Sequence, residues 1–427
     1  MTYDRKELCE GVGLNAITDS KFKTSSISVR FILPISRETA AANALGFGIL
    51  TYSNSSLDTM KKLNERLSSL YGGSLSGYSG KRGDFQLLTL NASWIDNRYA
   101  IDGEDITGGM LGVFLDCLFS PNASGGAFAE EYFNIVKKEQ LSRIDNEMNE
   151  KRSYALKKAQ QLACKGEPAE IPQFGTREDT EAVTAAQAYS AYRKVLETAR
   201  TEIFYISPER DPEAERLIAE RFRTISRSYK AADSYRTKSP VKDEFETLTE
   251  TLDVLQCKMV RTWKTDSDDE IANIMLGRIF GGTPVSKLFL NVREKMSLCY
   301  YCAARFSWIK NILSVDSGVE KENIDKARDE IEHQLDEIRR GNISDGELED
   351  AMLSIENDLT GIGDDPTSYV YWYLDRLLEG KIFAPEDRLK DYKNITKARI
   401  VQAANALRPD SEYIMLTPDS TENKEAD

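Results

Sequence analysis

The sequence contains a single histidine, His333, among 427 residues. This scarcity excludes the zinc motifs H-E-x-x-H and H-x-x-E-H, because each needs two imidazoles one helical turn apart. A Ser-His-Asp or Cys-His site would have to use His333. His333 is two residues from Ile331 in the amphipathic stretch 321–340, which places it about 200° round the helix, on the charged face. We therefore interpret His333 as a solvated helix residue rather than a catalytic one.

Long apolar runs and an excess of basic residues are also missing. No run approaches the roughly 18 apolar residues of a membrane span, and the N-terminal residues MTYDRKELCEGVGLN lack the apolar core of a secretory signal. The 56 Lys+Arg and 70 Asp+Glu give a formal net charge of -14, so no excess of cations exists to displace counterions from phosphate. We expect neither a membrane nor a nucleic acid as partner.

Cysteine is scarce as well, with six residues dispersed along the chain. Six cysteines are too few to stabilise a chain of this length through disulfide bonds. We therefore interpret them as reduced thiols and predict a cytoplasmic protein. Cys299 and Cys302 form a C-x-x-C pattern, but redox motifs of this kind open a helix, whereas this one lies in a predicted strand. Because strand residues alternate between faces, we expect the two sulfurs to point to opposite faces and to serve packing.

Apolar residues recur with two different periods along the chain. Alternating runs predict strands, and runs with a period of about 3.6 residues predict amphipathic helices. A capping box of Ser344 and Glu347 marks the start of one helix. The predicted strands lie at residues 26–34, 85–94, 202–207, 255–262, 298–306, 312–317 and 412–416, and the predicted helices at residues 58–71, 109–119, 128–164, 184–199, 321–340, 344–359, 366–378 and 395–407.

Two local matches indicate an internal duplication. A helix followed by a strand that ends in Ser/Thr-Pro occurs at residues 184–208 and again at residues 396–418. The stretch LNER at residues 63–66 has a counterpart in LNVR at residues 290–293, each in a helix that leads into a strand. The length leaves room for two or three domains. We predict an N-terminal half over residues 1–225, a linker over residues 226–243 and a C-terminal half over residues 244–427.

Arg293 and Tyr300 are the candidate site residues. We expect a turn at residues 281–284 and a helix that starts at Pro284, with Arg293 near its end and Tyr300 on the next strand, on the same face as Cys302. The hydrogen-bond donors of a guanidinium and of a phenol can together bind a peptide carbonyl or stabilise an oxyanion. The spacing alone still favours a packed tyrosine and a surface arginine.

The segment around these two residues resembles the insulinase (pitrilysin) family of zinc peptidases. Residues 281–289 read GGTPVSKLF and residues 292–300 read VREKMSLCY. In that family a glycine-rich turn, then S-x-L-F, then L-R-E-K-x-G-L-x-Y mark the half that supplies a substrate-binding Arg and Tyr. The resemblance therefore implies that Arg293 and Tyr300 bind substrate. Ser297 stands where the family usually has glycine.

The family's zinc motif is missing from this chain. The resemblance places that motif on a helix just ahead of residues 57–76, where ALGFGILT stands at residues 44–51, without the two His ligands or the Glu base. The helix that would carry the third ligand offers Glu139. One carboxylate cannot hold Zn²⁺, which takes three or four ligands, so we interpret Glu139 as a surface residue. The chain resembles the zinc-free subunit type, with no metal, cofactor or catalytic residue of its own.

The resemblance implies both a fold and a function. The fold is α+β, with two homologous halves, each an antiparallel-dominated sheet with helices on one face, that form a clam-shell around a cavity. The function is that of a non-catalytic subunit that supplies Arg293 and Tyr300 to a related zinc-bearing peptidase subunit, with a peptide as substrate. Two alternatives stay open: a structural scaffold like the core subunits of respiratory complexes, and an enzyme with unrelated chemistry. Arg293 and Tyr300 pointing into the core would favour the scaffold.

Overall fold

The computed structural model describes residues 1–418, so the end of the predicted C-terminal half, residues 419–427, lies outside the described residues. The chain forms two compact units. The first contains residues Met1–Asp145 and Ile171–Tyr235, and the second contains Asn146–Glu170 and the chain from Arg236 onward. Residues 146–170 therefore pack within the second unit, although they precede the last part of the first unit in sequence.

The strands, in chain order, are β1 (Thr2–Cys9), β2 (Val12–Thr18), β3 (Thr24–Pro34), β4 (Ser74–Arg82), β5 (Phe85–Ile95), β6 (Ala123–Ser124), β7 (Ala127–Phe128), β8 (Arg200–Ser207), β9 (Glu246–Thr251), β10 (Cys257–Lys264), β11 (Cys299–Ser307), β12 (Ile312–Val319) and β13 (Arg408–Leu416).

The α-helices are α1 (Arg37–Gly48), α2 (Met60–Ser69), α3 (Ile106–Phe119), α4 (Glu130–Asp145), α5 (Lys151–Ala163), α6 (Arg177–Ala182), α7 (Ala185–Thr198), α8 (Pro212–Arg223), α9 (Glu270–Gly277), α10 (Ile324–Arg339), α11 (Asp345–Gly361), α12 (Pro366–Leu378), α13 (Pro385–Lys393) and α14 (Lys397–Ala406). Two segments, Arg278–Gly282 and Leu288–Lys295, have π-helical hydrogen bonding.

Five strands of the first sheet have the same topology as the five strands of the second sheet. The first sheet has the strand order β1-β2-β8-β3-β5-β4, and the second has the order β11-β12-β10-β13-β9. When β4 is matched to β11, the strands β5, β3, β8 and β2 match β12, β10, β13 and β9 in turn. In both sheets only the last of these pairs, β8 with β2 and β13 with β9, is parallel. The predicted α+β fold with two homologous, antiparallel-dominated halves is confirmed.

The sequence matches that suggested the duplication fall on equivalent elements. Thr184 caps α7 ahead of β8, and Thr396 caps α14 ahead of β13. Residues 63–66 lie in α2 ahead of β4, whereas residues 290–293 lie in the π-helical segment ahead of β11. Both threonine side chains accept a hydrogen bond from the backbone of the first helical turn, which explains why the residue type recurs at this position.

Each unit has its own apolar core between the sheet and its helices. In the first unit the core face of β3 carries Ile27, Val29 and Phe31, all fully buried. In the second unit Met259 and Trp263 of β10 form part of the equivalent core. The opposite face of the second sheet is covered by α5, where small side chains allow close packing against the strands. That contact consists of Ala155 and Ala159 with Val260, Tyr413 and Met415.

Two predicted helices differ from the observed ones. The helix predicted over residues 128–164 is interrupted, because α4 ends at Asp145 and a 3₁₀ turn at Asn146–Asn149, with two asparagines of low helix propensity, precedes α5. The helix predicted to start at Pro284 begins four residues later. Thr283 and Pro284 form a turn instead, in which the Ser286 amide donates to the Thr283 carbonyl over 3.1 Å. No helix within residues 1–418 combines the length and the apolarity that a bilayer crossing requires.

A buried lysine fixes α5 to the second sheet. Lys264 of β10 is fully buried, and its ammonium donates to the Ala163 carbonyl at the end of α5 over 2.6 Å. The same Nζ lies 3.0 Å from Oδ1 of Asp410, which is also buried. A cation at a helix C-terminus and a paired carboxylate both compensate the cost of burying the charge.

We expect Lys264→Met to lower the free energy of unfolding of the second unit by about 3–5 kcal/mol, because Asp410 is left buried without its partner charge. Urea titration monitored by tryptophan fluorescence measures this change. Lys61→Met is the matched control, since the Lys61–Glu65 ion pair is exposed and its loss should leave the midpoint unchanged. Equal midpoints for the two variants would contradict this role of Lys264.

Candidate functional site

Arg293 lies in the π-helical segment that follows the glycine-rich turn. A Cβ on Gly281 would lie 2.5 Å from the Ala304 amide nitrogen, so the close approach of this turn to β11 requires glycine. The Arg293 guanidinium lies over the Phe289 ring, with 4.6 Å from Cζ to the ring centroid. Its Nε is 3.5 Å from Oε1 of Glu294, and the side chain is 40% exposed. Arg293 is thus positioned on the surface by a stacking contact one turn earlier.

Ser297 ends this helical segment in a left-handed conformation. Its φ is +51°, and its amide donates to the Arg293 carbonyl over 3.1 Å while the Leu298 amide donates to the Val292 carbonyl over 3.1 Å. Helices commonly end with one residue in the left-handed region, and glycine is favoured there because it has no Cβ. The position where the family usually has glycine is therefore one where the backbone favours it, and Ser297 adopts the same conformation with a side chain.

Tyr300 is the extra residue of a β-bulge. Cys299 pairs with Val319 and Tyr301 pairs with Gly318, so Tyr300 has no partner on β12. Its side chain is 70% exposed, and its hydroxyl makes no hydrogen bond within the described part of the chain. The prediction that Tyr300 shares a face with Cys302 is wrong, because the bulge shifts the alternation by one residue. The interpretation of Tyr300 as a packed residue is also wrong.

Arg293 and Tyr300 line one shallow cavity of about 460 Å³ in the second unit. Its wall is completed by main-chain and side-chain atoms of the intervening loop and of the segment after β12: Glu294, Ser297, Leu298, Cys299, Glu320 and Asn323. A partly exposed guanidinium and an exposed phenol therefore line the same cavity. Such a pair can hold a peptide carbonyl or an oxyanion, although it offers neither a nucleophile nor a metal.

The bulge also brings Cys299 and Cys302 to the same face. Cys302 pairs with Ser317 and Cys299 pairs with Val319, and these two β12 residues share one face. Both cysteines contact the core of the second unit. The prediction that the sulfurs point to opposite faces is therefore wrong. The sequence feature that could have indicated the bulge is Gly318, because glycine within a strand often marks a bulge. In the structure a Cβ at this position would lie 2.6 Å from the Tyr301 ring.

The predicted location of the lost zinc motif is a small cavity in the first unit. Ala44 and Gly48 lie one turn apart on α1 and, with Glu139 of α4, line a space of about 70 Å³. The Tyr52 hydroxyl donates to Oε2 of Glu139 over 2.7 Å. Burial and this hydrogen bond raise the pKa of Tyr52 to about 12. The Glu139 carboxylate, which is the candidate metal ligand, therefore accepts a hydrogen bond from the Tyr52 phenol.

The residues at this location do not fit a zinc ion. Ala44 and Gly48 carry no donor atoms, and a Cβ on Gly48 would already lie 3.0 Å from Cγ1 of Val136. Within residues 1–418 no cluster of three or more His, Cys, Asp or Glu side chains has a geometry suited to a metal. Glu139 is an exposed helix residue, and His333 is exposed on the outer face of α10, as predicted for both.

Comparison with known proteins identifies the relatives of this chain. Residues 182–354 match the family model described as the Peptidase M16 inactive domain. The chain is 26% identical over 412 residues to the "Probable inactive metalloprotease YmfF" of Bacillus subtilis (strain 168), which covers 95% of this chain and 96% of that protein.

Two solved structures share the fold. The crystal structure of a conserved protein from Enterococcus faecalis V583 has a TM-score of 0.89 and 24% identity, over 98% of this chain and 99% of that chain. A protease from Helicobacter pylori has a TM-score of 0.78 and 13% identity, also over 98% of this chain and 99% of that chain.

We expect Ser297→Gly to raise the free energy of unfolding by about 1 kcal/mol, because it relieves the left-handed strain of a residue with a Cβ. Thermal and urea unfolding measure the change. Ser190→Gly is the matched control, since Ser190 is exposed within α7 and glycine should destabilise that helix. If both variants are destabilised alike, Ser297 does not carry the strain that its φ indicates.

Proposed function

We propose that this chain, which is similar to the Peptidase M16 inactive domain and to a probable inactive metalloprotease, is a non-catalytic subunit of a two-chain peptidase of the insulinase family. A related zinc-bearing chain supplies the metal and the base, and this chain supplies Arg293 and Tyr300 to hold the peptide. The observation that carries the proposal is that Arg293, whose side chain is 40% exposed, and Tyr300, which is 70% exposed, line the wall of one cavity.

The chemistry of peptide hydrolysis supports this division between two chains. Hydrolysis needs a metal-bound water, a general base and donors for the developing oxyanion. The first unit has no donor set for the metal, since Glu139 is paired with Tyr52, and Ala44 and Gly48 carry no ligand atoms. The second unit has Arg293 and Tyr300 on the wall of one cavity, at the spacing of the family motif. A chain that has substrate-binding donors but no metal ligands could act only together with a second chain that binds the metal.

The main competing function is a structural scaffold. A scaffold needs the two α+β units but has no use for an exposed tyrosine hydroxyl without a hydrogen-bond partner. The 70% exposure of the Tyr300 side chain argues against the scaffold function, because a tyrosine that serves only packing would be buried. The two functions differ in whether Arg293 and Tyr300 matter to a peptidase reaction.

We also propose a cytoplasmic location and a peptide, rather than a nucleic acid, as the ligand. All six cysteines are unpaired in the structure, which is consistent with a reducing compartment. The net charge of -14 argues against a polyanionic partner.

Tyr300→Phe should lower kcat of the reconstituted pair about 10²–10³-fold, because only an oxyanion donor is removed. The pair consists of this chain and a zinc-bearing insulinase-family chain from the same organism, assayed with a fluorogenic peptide library. Arg293→Ala should mainly raise KM. Tyr301→Phe is the matched control, since Tyr301 is the next residue and packs under Arg152 on the other face, with 4.3 Å from the guanidinium to the ring. A zinc-bearing chain that is fully active alone would establish the scaffold function instead.

The isolated chain should contain well under one equivalent of zinc when purified without a metal-binding tag, because one phenol-paired carboxylate is not a zinc site. Plasma emission spectrometry measures the metal, and the zinc-bearing chain prepared in the same way is the positive control. Stoichiometric zinc accompanied by chelator-sensitive peptide cleavage would overturn the proposed non-catalytic role.

A further inference from the structure

Two thiols lie next to each other at the bulge, and the proposed function uses neither of them. Cys302 is buried in the core of the second unit, whereas Cys299 is half-buried and lines the cavity with Arg293 and Tyr300. Because Tyr300 is the unpaired residue, Cys299 and Cys302 project from one face of β11 toward Val319 and Ser317. The pair therefore has one thiol in contact with the cavity and one behind it.

The surroundings of the pair favour a negative charge on the outer sulfur. The neighbouring Cys302 side chain lowers the pKa of Cys299 against the opposing effect of desolvation, while the same interaction raises the pKa of Cys302. The positive charge of Arg293 lowers the pKa of Cys299 further. A thiolate, rather than a thiol, is the reactive nucleophile.

Ser317 provides a second, independent indication. Its side chain is fully buried, and its hydroxyl has no nitrogen or oxygen partner in the described part of the chain. Ser317 lies directly opposite Cys302 and faces the two sulfurs. A buried hydroxyl without a partner is costly, so a group that accepts its hydrogen bond is stabilised at this position. A thiolate on Cys299 is such an acceptor.

The other cysteines lack this environment. Cys117, Cys164 and Cys257 are buried, and burial raises the pKa of Cys117 to about 11. Cys9 is half-buried like Cys299, but desolvation raises its pKa. Cys9 therefore offers a thiol of similar exposure without a neighbouring thiol donor.

We propose that Cys299 is a thiol–disulfide exchange site that reacts with low-molecular-weight disulfides, with Cys302 and Ser317 as positioning residues. The Cys299 thiolate attacks one sulfur of the disulfide RSSR, a new S–S bond forms between Cys299 and SR, and the old S–S bond breaks. The leaving thiolate RS⁻ takes up the proton that Cys299 lost. The net reaction converts one protein thiol and RSSR into a mixed disulfide and RSH.

The adduct occupies the cavity that Arg293 and Tyr300 line. If the proposed function holds, modification of Cys299 also blocks peptide binding by the reconstituted pair. The exchange reaction itself does not rest on that function, and it is measured on the isolated chain.

The experiment follows the reaction of the full chain with 5,5′-dithiobis(2-nitrobenzoate) between pH 6 and pH 9, with peptide mass spectrometry to locate the adduct. Cys299 should react about tenfold faster than Cys9 at pH 7, and the midpoint of its pH profile should lie below that of Cys9. Cys302→Ala should move the midpoint of Cys299 upward and slow its reaction at pH 7, whereas Cys302→Ser keeps a donor and should restore most of the rate.

Ser317→Ala tests the second donor without changing a cysteine, and it should shift the midpoint in the same direction as Cys302→Ala. Circular dichroism verifies that each variant is folded. The proposal is overturned if Cys9 reacts as fast as Cys299. It is also overturned if the midpoint of Cys299 is the same in wild type, Cys302→Ala and Ser317→Ala, because the buried donors then have no influence on the thiol.

Discussion

One extra residue in strand β11 determines the properties of the candidate site. The bulge at Tyr300 leaves that residue without a partner on β12, so its side chain turns to solvent instead of into the sheet. The same shift places Cys299 and Cys302 on one face and opposite Ser317. Without the bulge, strand alternation would put Tyr300 on the core side with Cys302, and no exposed phenol would stand beside Arg293.

The architecture could be predicted further than the site. Helix and strand periods, together with two short repeats, indicated two homologous α+β halves, and the shared strand order confirms them. The bulge was not foreseen because apolar alternation in residues 298–306 fits a regular strand, and only Gly318 on the neighbouring strand signals the irregularity. The interruption at Asn146–Asn149 was missed for a similar reason, since charged helices α4 and α5 read as one stretch.

The two units differ at the positions that the resemblance assigns to a peptidase site. In the first unit, Ala44 and Gly48 of α1 carry no ligand atoms, and the Tyr52 hydroxyl donates to Glu139. In the second unit, the glycine-rich turn, the left-handed Ser297 and the bulge keep Arg293 and Tyr300 on one cavity wall.

Site-specific photo-cross-linking from position 300 tests the central claim most directly. A benzophenone amino acid replaces Tyr300, and the same replacement at Tyr99, which is also exposed but lies in the first unit, is the control. In the presence of the zinc-bearing chain and a peptide inhibitor, the account predicts cross-links from position 300, but not from position 99, to the peptide or to residues next to the partner's metal. Cross-links from both positions alike, or from neither, would contradict a role for Tyr300 at a shared active site.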